Sequence, residues 1–383
     1  MKSDYLIKIK KEVVSFPELI PGRVIAQHKD LYKVVPVQLK QISNIDTVNN
    51  SHSGVDIKLE MGSGEVLAEI SGKLRHEAAK AEDFPAVGDY VLIDREDSGQ
   101  GNGIIHRVMS RKSLFSRRAP GSLQGLQVIA ANIDTVFICM SLNNNFNLRR
   151  MERYLAIAWN SGAMPVIVLT KSDLCEDLDQ KVEQLEDIAF GVDIVATSSK
   201  KKSGHEGILN YLKENRTVAF VGSSGVGKST LINLILGKNI IETRKVRKDD
   251  KGRHQTTKRE LYLTLQKAAV IDTPGMRELG VERANLQRSF VEIEQLAEQC
   301  KFRDCCHDKE PGCAVKKAVE KGIISEERLL NYRKLKKEAK YDGLNFKQIE
   351  KAKIKEMFSE FGGIKNAKKY IKTLEKLKNY IDK

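Results

Sequence analysis

Through the middle of the chain the apolar residues come in unbroken runs rather than alternating ones. Asp134 to Met140, Pro165 to Leu169, Asp193 to Thr197, Thr217 to Val221, Glu260 to Leu265 and Ala268 to Ile271 are each strand-length. This is the pattern of strands covered on both faces of a parallel sheet. Leu148 to Trp159 and Thr230 to Leu236 fall between them and read as helices. The N-terminal third is patterned differently. Gly22 to Ala26, Leu31 to Val35, Val66 to Ile70 and Tyr90 to Asp94 are short strand-like runs, punctuated by Gly88, Gly99, Gly101 and Gly103, with no helical period. Such spacing predicts a small all-β barrel; five strands suit an OB-fold, and an SH3-like barrel reads much the same. Residues 36–56, with Asn44, Asn49, Asn50 and Gly54, read as an inserted loop. Near the C-terminus Ser325 precedes Glu326-Glu327-Arg328-Leu329-Leu330 as a helix cap. Phe346, Ile349, Ile354, Met357, Phe358 and Phe361 then form a helical stripe that Gly362-Gly363 breaks, and Tyr370-Ile371, Leu374 and Leu377 begin another.

Charge changes this picture more than composition does. The 383 residues are 41% hydrophobic without an apolar run near membrane-spanning length, and Met1 to Lys8 shows no signal-peptide core, so no membrane span is expected. The net charge is +14. It points to a polyanionic partner such as RNA, or to a solvated lysine-rich surface. Residues 331–383 hold 16 Lys and Arg against 7 Asp and Glu, a net +9 of that total. Arg107, Arg111, Lys112, Arg117 and Arg118 form a second basic stretch, open to phosphate contacts or to an ordinary solvated linker. Four of the six cysteines lie between Cys300 and Cys313, which suggests a metal rather than secreted disulfides.

The strand ending at Val221 and the helix from Thr230 flank Gly222-Ser223-Ser224-Gly225-Val226-Gly227-Lys228-Ser229-Thr230. This is G-x-x-x-x-G-K-[ST], whose glycines let successive backbone N–H groups aim at nucleotide phosphates. Lys228 is expected on the β- and γ-phosphates and Ser229 on Mg²⁺. Thr170-Lys171-Ser172-Asp173 ends a buried strand and fits [NT]-K-x-D, with Asp173 accepting hydrogen bonds from guanine N1–H and N2–H₂. Adenine offers neither donor there and would leave the carboxylate unpaired. Ser198-Ser199 follows the next strand and can close over the base. Asp272-Thr273-Pro274-Gly275 is D-x-x-G, which puts Asp272 near Mg²⁺ and the Gly275 N–H near the γ-phosphate. Between them, Gly252-Arg253-His254-Gln255-Thr256-Thr257 lies in a charged stretch where a threonine can ligate Mg²⁺ while γ-phosphate is present. Thr256 is preferred over Thr257. Met276 stands where Ras-like enzymes orient water with glutamine, so intrinsic hydrolysis should be slow. Base recognition precedes the phosphate elements along the chain, the reverse of the Ras order, so the domain is circularly permuted. Cys300, Cys305, His307 and Cys313 follow as C-x₄-C-x-H-x₅-C, a closed Cys₃His set for one structural Zn²⁺, with Cys306 spare.

On these motifs the chain resembles the ribosome small-subunit-dependent GTPases of the RsgA (YjeQ) type, over residues 20 to 335. The resemblance implies a multidomain α/β protein with an N-terminal OB-fold β-barrel, a circularly permuted P-loop GTPase domain and a C-terminal α-helical zinc-binding domain. The expected boundaries are 1–115 with an insert near 36–56, 116–285 and 286–340, with a basic helical extension at 341–383. The resemblance also implies GTP/GDP binding, Mg²⁺ with GTP, and hydrolysis stimulated by the small ribosomal subunit and its 16S rRNA during late maturation. A monomer in the cytoplasm is expected, and His254 is implied as the catalytic group. Gln255 departs from the family, where threonine directly follows that histidine. Two other classes stay open: an RNA-binding assembly factor whose nucleotide only sets affinity, and a P-loop ATPase or kinase, against which Thr170-Lys171-Ser172-Asp173 argues.

Overall fold

The structure is a computed structural model describing residues 2–42, 56–99, 101–118, 126–143, 145–200, 204–241, 259–273 and 286–340, with 348, 351 and 366 besides. Helix α1 (Lys2–Val14) precedes β1 (Ile20–His28), β2 (Leu31–Ile42), β3 (Asp56–Met61), β4 (Val66–Ile70), α2 (Gly72–Glu77), β5 (Tyr90–Ile93) and β6 (Gly103–Val108). β1 pairs with both β2 and β5; β2 pairs with β4, β4 runs parallel to β6, and β6 pairs with β5. Five strands therefore close into a barrel around Val24, Val34, Val66, Val91, Ile93 and Ile105. A five-stranded ring with a single parallel closure is the OB arrangement, which settles the choice of barrel.

The hairpin β7 (Leu114–Arg118) and β8 (Leu126–Ala131) leads into the main sheet. That sheet is built from β9 (Thr135–Ser141), α3 (Leu148–Asn160), β10 (Met164–Thr170), α4 (Leu178–Glu186), β11 (Asp193–Ala196), α5 (Glu206–Leu209), β12 (Thr217–Gly222), α6 (Lys228–Leu236), β13 (Arg259–Leu263) and β14 (Ala269–Asp272). The strand order is β11-β10-β9-β12-β14-β13, parallel except for β13. The unbroken apolar runs follow from the two faces. Ile138, Met140, Ile167, Leu169, Val221 and Ile271 share one core with α3, while Phe137, Cys139, Val166, Val168, Phe220 and Val270 share the other with α6. Each such side chain contributes about 1.5–3 kcal/mol on burial. β9 sits where the strand order reverses, so the C-terminal ends of β10, β11, β12 and β14 open on one edge, where open α/β sheets bind ligands.

β13 also pairs with β1, so the barrel and the sheet are continuous. Arg23 of β1 donates to Thr217 Oγ1 (2.6 Å) at the start of β12. The C-terminal helices α7 (Leu286–Ser289), α8 (Val291–Ala297), α9 (Ala314–Glu320) and α10 (Glu326–Lys340) enclose their own core of Phe290, Ile293, Val315, Leu329, Tyr332 and Leu335. Ser325 Oγ accepts the Arg328 N–H at 3.2 Å, the cap its position predicts.

Three expectations change. The N-terminal third is not free of helix: α1 buries Ile9 against Leu92 and Met109, with Tyr5, Leu6 and Val13 packed alongside. Its stripe at four-residue spacing is masked by lysines on the other faces. Residues 36–42 are strand, not insert, since β2 pairs with β3 from Val37↔Met61 to Ile42↔Asp56. Pro36 reads as a breaker, yet its carbonyl accepts the Gly62 N–H at 2.8 Å and it lacks only the N–H. Residues 43–55 lie outside the described residues. In the basic stretch, Arg111 forms a bidentate pair with the buried Asp89 (2.6 and 2.7 Å) and Lys112 pairs with Asp134 (2.8 Å), so both are structural ties. Arg107 stacks over Phe16. The side chains of Arg117 and Arg118, and the expected helices of the 341–383 extension apart from positions 348, 351 and 366, lie outside the described residues.

Candidate nucleotide site and metal centre

β12 ends in Gly222, whose φ of +146° and position leave no room for a side chain: a Cβ there would stand 2.4 Å from the Cys139 carbonyl oxygen. Glycine is required at this point because the loop leaves the sheet directly beside β9. Gly227, at φ +98°, caps α6 in the left-handed region. Lys228 opens that helix and is buried, its Nζ donating to the Gly222 and Ser223 carbonyls (2.9 Å each). The ammonium thus lies across the loop. Burial pushes its pKa down, and Asp272 pulls the other way. Val226 is buried in the core beneath the loop, Ser223, Ser224, Gly225 and Ser229 are half-buried, and Thr230 is exposed.

Asp272 ends β14 next to β12, in register with Phe220. Only 3% exposed, its carboxyl is pushed up to about 6 by burial, with Lys228 opposing. Thr273 Oγ1 donates to the Phe220 carbonyl (2.5 Å) and fixes the turn after β14. A desolvated carboxylate is stabilised by a cation it can face, and the cation that acts on it here is the Lys228 ammonium.

The Thr170-Lys171-Ser172-Asp173 segment meets this loop directly, because Thr170 Oγ1 donates to the Val226 carbonyl. Lys171 adopts φ +58°, which turns the chain out of β10. Asp173 accepts from Ser198 Oγ (2.7 Å) and pairs with Lys200 (3.2 Å), and these contacts hold its carboxyl below the usual range. The Ser172 N–H donates to the Thr197 carbonyl (3.0 Å), so the loops after β10 and β11 are joined. Ser198 is buried and Ser199 exposed. The structure therefore gathers Thr170, Lys171, Ser172, Asp173, Ser198 and the 222–230 loop at one sheet edge, with Asp272 beside the loop. His254, Thr256, Thr257, Gly275 and Met276 lie outside the described residues. The sequence reading missed Lys200, which directly follows Ser198-Ser199, and Arg150 and Tyr154 of α3, which both reach Ser223.

Cys300, Cys305, His307 and Cys313 converge, their ligand atoms all within 4.8 Å of one another. Cys300 Sγ lies 3.8 Å from Cys313 Sγ; His307 Nδ1 lies 3.7 Å from the first and 3.5 Å from the second. Metal–sulfur bonds of about 2.3 Å and metal–nitrogen bonds of about 2.0 Å give tetrahedron edges of about 3.8 and 3.5 Å, so the set fits a zinc-sized ion. Burial pushes His307 down, toward the neutral imidazole that ligates metals. Cys306 is exposed and outside the cluster. Its N–H and that of Asp308 bond Glu310, whose carboxyl is held down at about 2 by those amides.

A family model described as RsgA GTPase matches residues 108–282. A second, described as ABC transporter, matches residues 206–374, a span that includes the phosphate loop; no helix among the described residues is long and apolar enough to cross a membrane. The small ribosomal subunit biogenesis GTPase RsgA 2 of Lactiplantibacillus plantarum is 48% identical, over 92% of each chain. The small ribosomal subunit biogenesis GTPase RsgA of Methanosarcina acetivorans is 45% identical over 76% of this chain and 80% of its own. Among solved structures, YjeQ from Thermotoga maritima superposes with a TM-score of 0.56 at 29% identity, over 84% of this chain and 98% of that one. The circularly permuted GTPase YloQ gives 0.53 at 24% identity, over 84% and 95%, a likeness of fold.

Proposed function

The chain belongs to the RsgA GTPase family and is a GTP hydrolase, and from that membership we propose that it serves small ribosomal subunit biogenesis, with the subunit stimulating turnover. The observation that carries the proposal is the joining of a base-recognition loop to a phosphate loop through Thr170 and Val226, in a permuted chain whose relatives bear that name. The division into 1–115, 116–285, 286–340 and 341–383 is part of this reading. Gly222, Ser223, Ser224, Gly225, Val226, Gly227, Lys228, Ser229 and Thr230 hold the phosphates, while Thr170, Lys171, Ser172, Asp173, Ser198 and Ser199 hold guanine. Ser229 and Thr256 ligate Mg²⁺ with Asp272 nearby, and Gly275 reads the γ-phosphate. His254 supplies the polar group that Met276 cannot. One Zn²⁺ on Cys300, Cys305, His307 and Cys313 is structural, since no open position remains. The basic excess faces 16S rRNA, and the protein works as a cytoplasmic monomer.

Met276 favours a second reading, in which the protein is an rRNA-binding assembly factor, nucleotide sets affinity and hydrolysis is incidental. GTP hydrolysis measured with purified small subunits, large subunits or neither separates the two. Stimulation by small subunits alone supports the first. Turnover equally slow in all three supports the second.

A further inference from the structure

Helix α3 presents two sets of side chains to two partners. Arg149, Glu152, Arg153 and Ala156 follow an i, i+3, i+4, i+7 spacing and all meet the C-terminal helices. Arg149 pairs with Glu327, Arg153 with Glu338 (2.8 Å), and Ala156 packs in the core around Phe290 and Tyr332. Glu152 is fully buried, held by Arg328 Nη1 (2.6 Å) and by Asn331 Nδ2. Removing one partner of such a pair leaves a buried charge uncompensated, so the geometry fixes how α3 sits on α10.

Arg150 and Tyr154, four residues apart on another side of the helix, turn to the phosphate loop instead. Arg150 Nη1 donates to Ser223 Oγ (3.2 Å) and to Asn145 Oδ1 (2.6 Å), and Tyr154 Oη lies 3.3 Å from the same Ser223 Oγ. Among the described residues no carboxylate pairs with Arg150, whereas Arg149 pairs with both Glu152 and Glu327 and Arg153 with Glu338. The loop it touches contains Gly222, Gly225 and Gly227, and glycine loses more conformational freedom on ordering than any other residue. A loop of that kind binds better when something else has already ordered it.

We propose that Arg150, with Tyr154, is a positioning residue for the phosphate loop: it acts through Ser223 to hold the loop in its binding shape. The charge left without a carboxylate stands beside the loop expected to take a polyphosphate, so it adds to the field there as well. This rests on the nucleotide reading of the loop.

Equilibrium binding of a fluorescent GDP and a non-hydrolysable GTP analogue to the full chain tests it. Arg150→Ala and Ser223→Ala are each expected to weaken both nucleotides about ten-fold, the loss of one charge-assisted hydrogen bond. The double variant should lose less than the two single losses combined, because both changes remove the Arg150–Ser223 contact. Arg150→Lys should recover part of the loss, since one donor can reach Ser223 but not Asn145 as well. A merely structural role would lower the melting temperature and leave these dissociation constants unchanged. Wild-type affinity within two-fold in Arg150→Ala, or losses that add in the double variant, would overturn the inference. Should Arg150→Ala not fold, Arg150→Gln decides, since it keeps most of the side chain on α3 and removes the charge. Absence of guanine-nucleotide binding in the wild type would overturn the reading of the loop itself, a result separate from an unaffected Arg150→Ala.

Discussion

Asp272→Asn should stabilise the nucleotide-free protein at neutral pH while impairing its chemistry. The Asp272 carboxyl is 3% exposed and pushed by burial from an ordinary 3.8 to about 6, with the attraction of Lys228 already included. The folded state therefore binds more protons than the unfolded one between those values. Stability falls as pH rises from about 4 to 6 and stays lower above. Two units correspond to about 3 kcal/mol at most. Asparagine removes the desolvated charge, so the variant should gain about 2–3 kcal/mol at pH 8 and nothing near pH 4. In a folding unit of 150–250 residues that is a rise of about 4–12 °C in Tm. Thermal melts of metal- and nucleotide-free protein at pH 4.5 and pH 8 measure it. With Mg²⁺ and a non-hydrolysable GTP analogue the order should reverse, because the wild-type carboxylate then has a cation to face. A variant no more stable than wild type at pH 8 would show that Asp272 is solvated, and its place in the cation site would lose its physical basis.

Asp173→Asn should weaken GTP and GDP binding and relax selection against xanthine nucleotides, because an amide swaps an acceptor for a donor; unchanged relative XTP affinity would remove Asp173 from base recognition. Cys305→Ser or chelation should open the segment around 300–313 to protease while GDP still binds. Full protease resistance in metal-free protein would contradict a structural ion. His254→Ala should keep nucleotide affinity and lose subunit-stimulated turnover, and normal turnover would move the catalytic role elsewhere.

What could be read from the chain divides along physical lines. The glycine-rich turn after β12, the turn after β10 and the Cys₃His cluster were legible because each constrains residue type at short spacing. Gly222 is glycine because a Cβ would strike the Cys139 carbonyl, and Cys300 to Cys313 must bring four donors to one point. The parallel sheet was legible because its strands are covered on both faces. Less legible was anything whose partner lies far along the chain. Glu152 is fully buried, and its partner Arg328 is 176 residues away. Arg150 reads as one of a charged trio, and the contact that distinguishes it spans 73 residues. Helix α1 carries a stripe that lysines on its other faces mask, and its burial depends on barrel side chains such as Leu92 and Met109.

The permuted order gives these long-range contacts a mechanical consequence. The D-x-x-G segment begins at the end of β14, and α7 starts at Leu286, only 14 positions after Asp272. The C-terminal helices then return to α3 through Glu152 and Arg328, and α3 reaches the phosphate loop through Arg150 and Tyr154. The C-terminal unit is thus tethered to the segment that would sense γ-phosphate and bonded to the helix that braces the phosphate loop. A ligand shifts a conformational equilibrium only by its differential affinity for the two states. If GTP and GDP set that unit differently, subunit affinity must differ between the two forms, and by linkage the subunit must favour the same nucleotide by the same factor. Binding of small subunits to the protein loaded with a non-hydrolysable GTP analogue should be tighter than to the GDP form, by about 5- to 150-fold. Loosening α3 from α10, as in Arg153→Ala with Arg149→Ala, should shrink that ratio while both nucleotides still bind. A ratio near one in the wild type would refute the switch and favour the assembly factor in which hydrolysis is incidental.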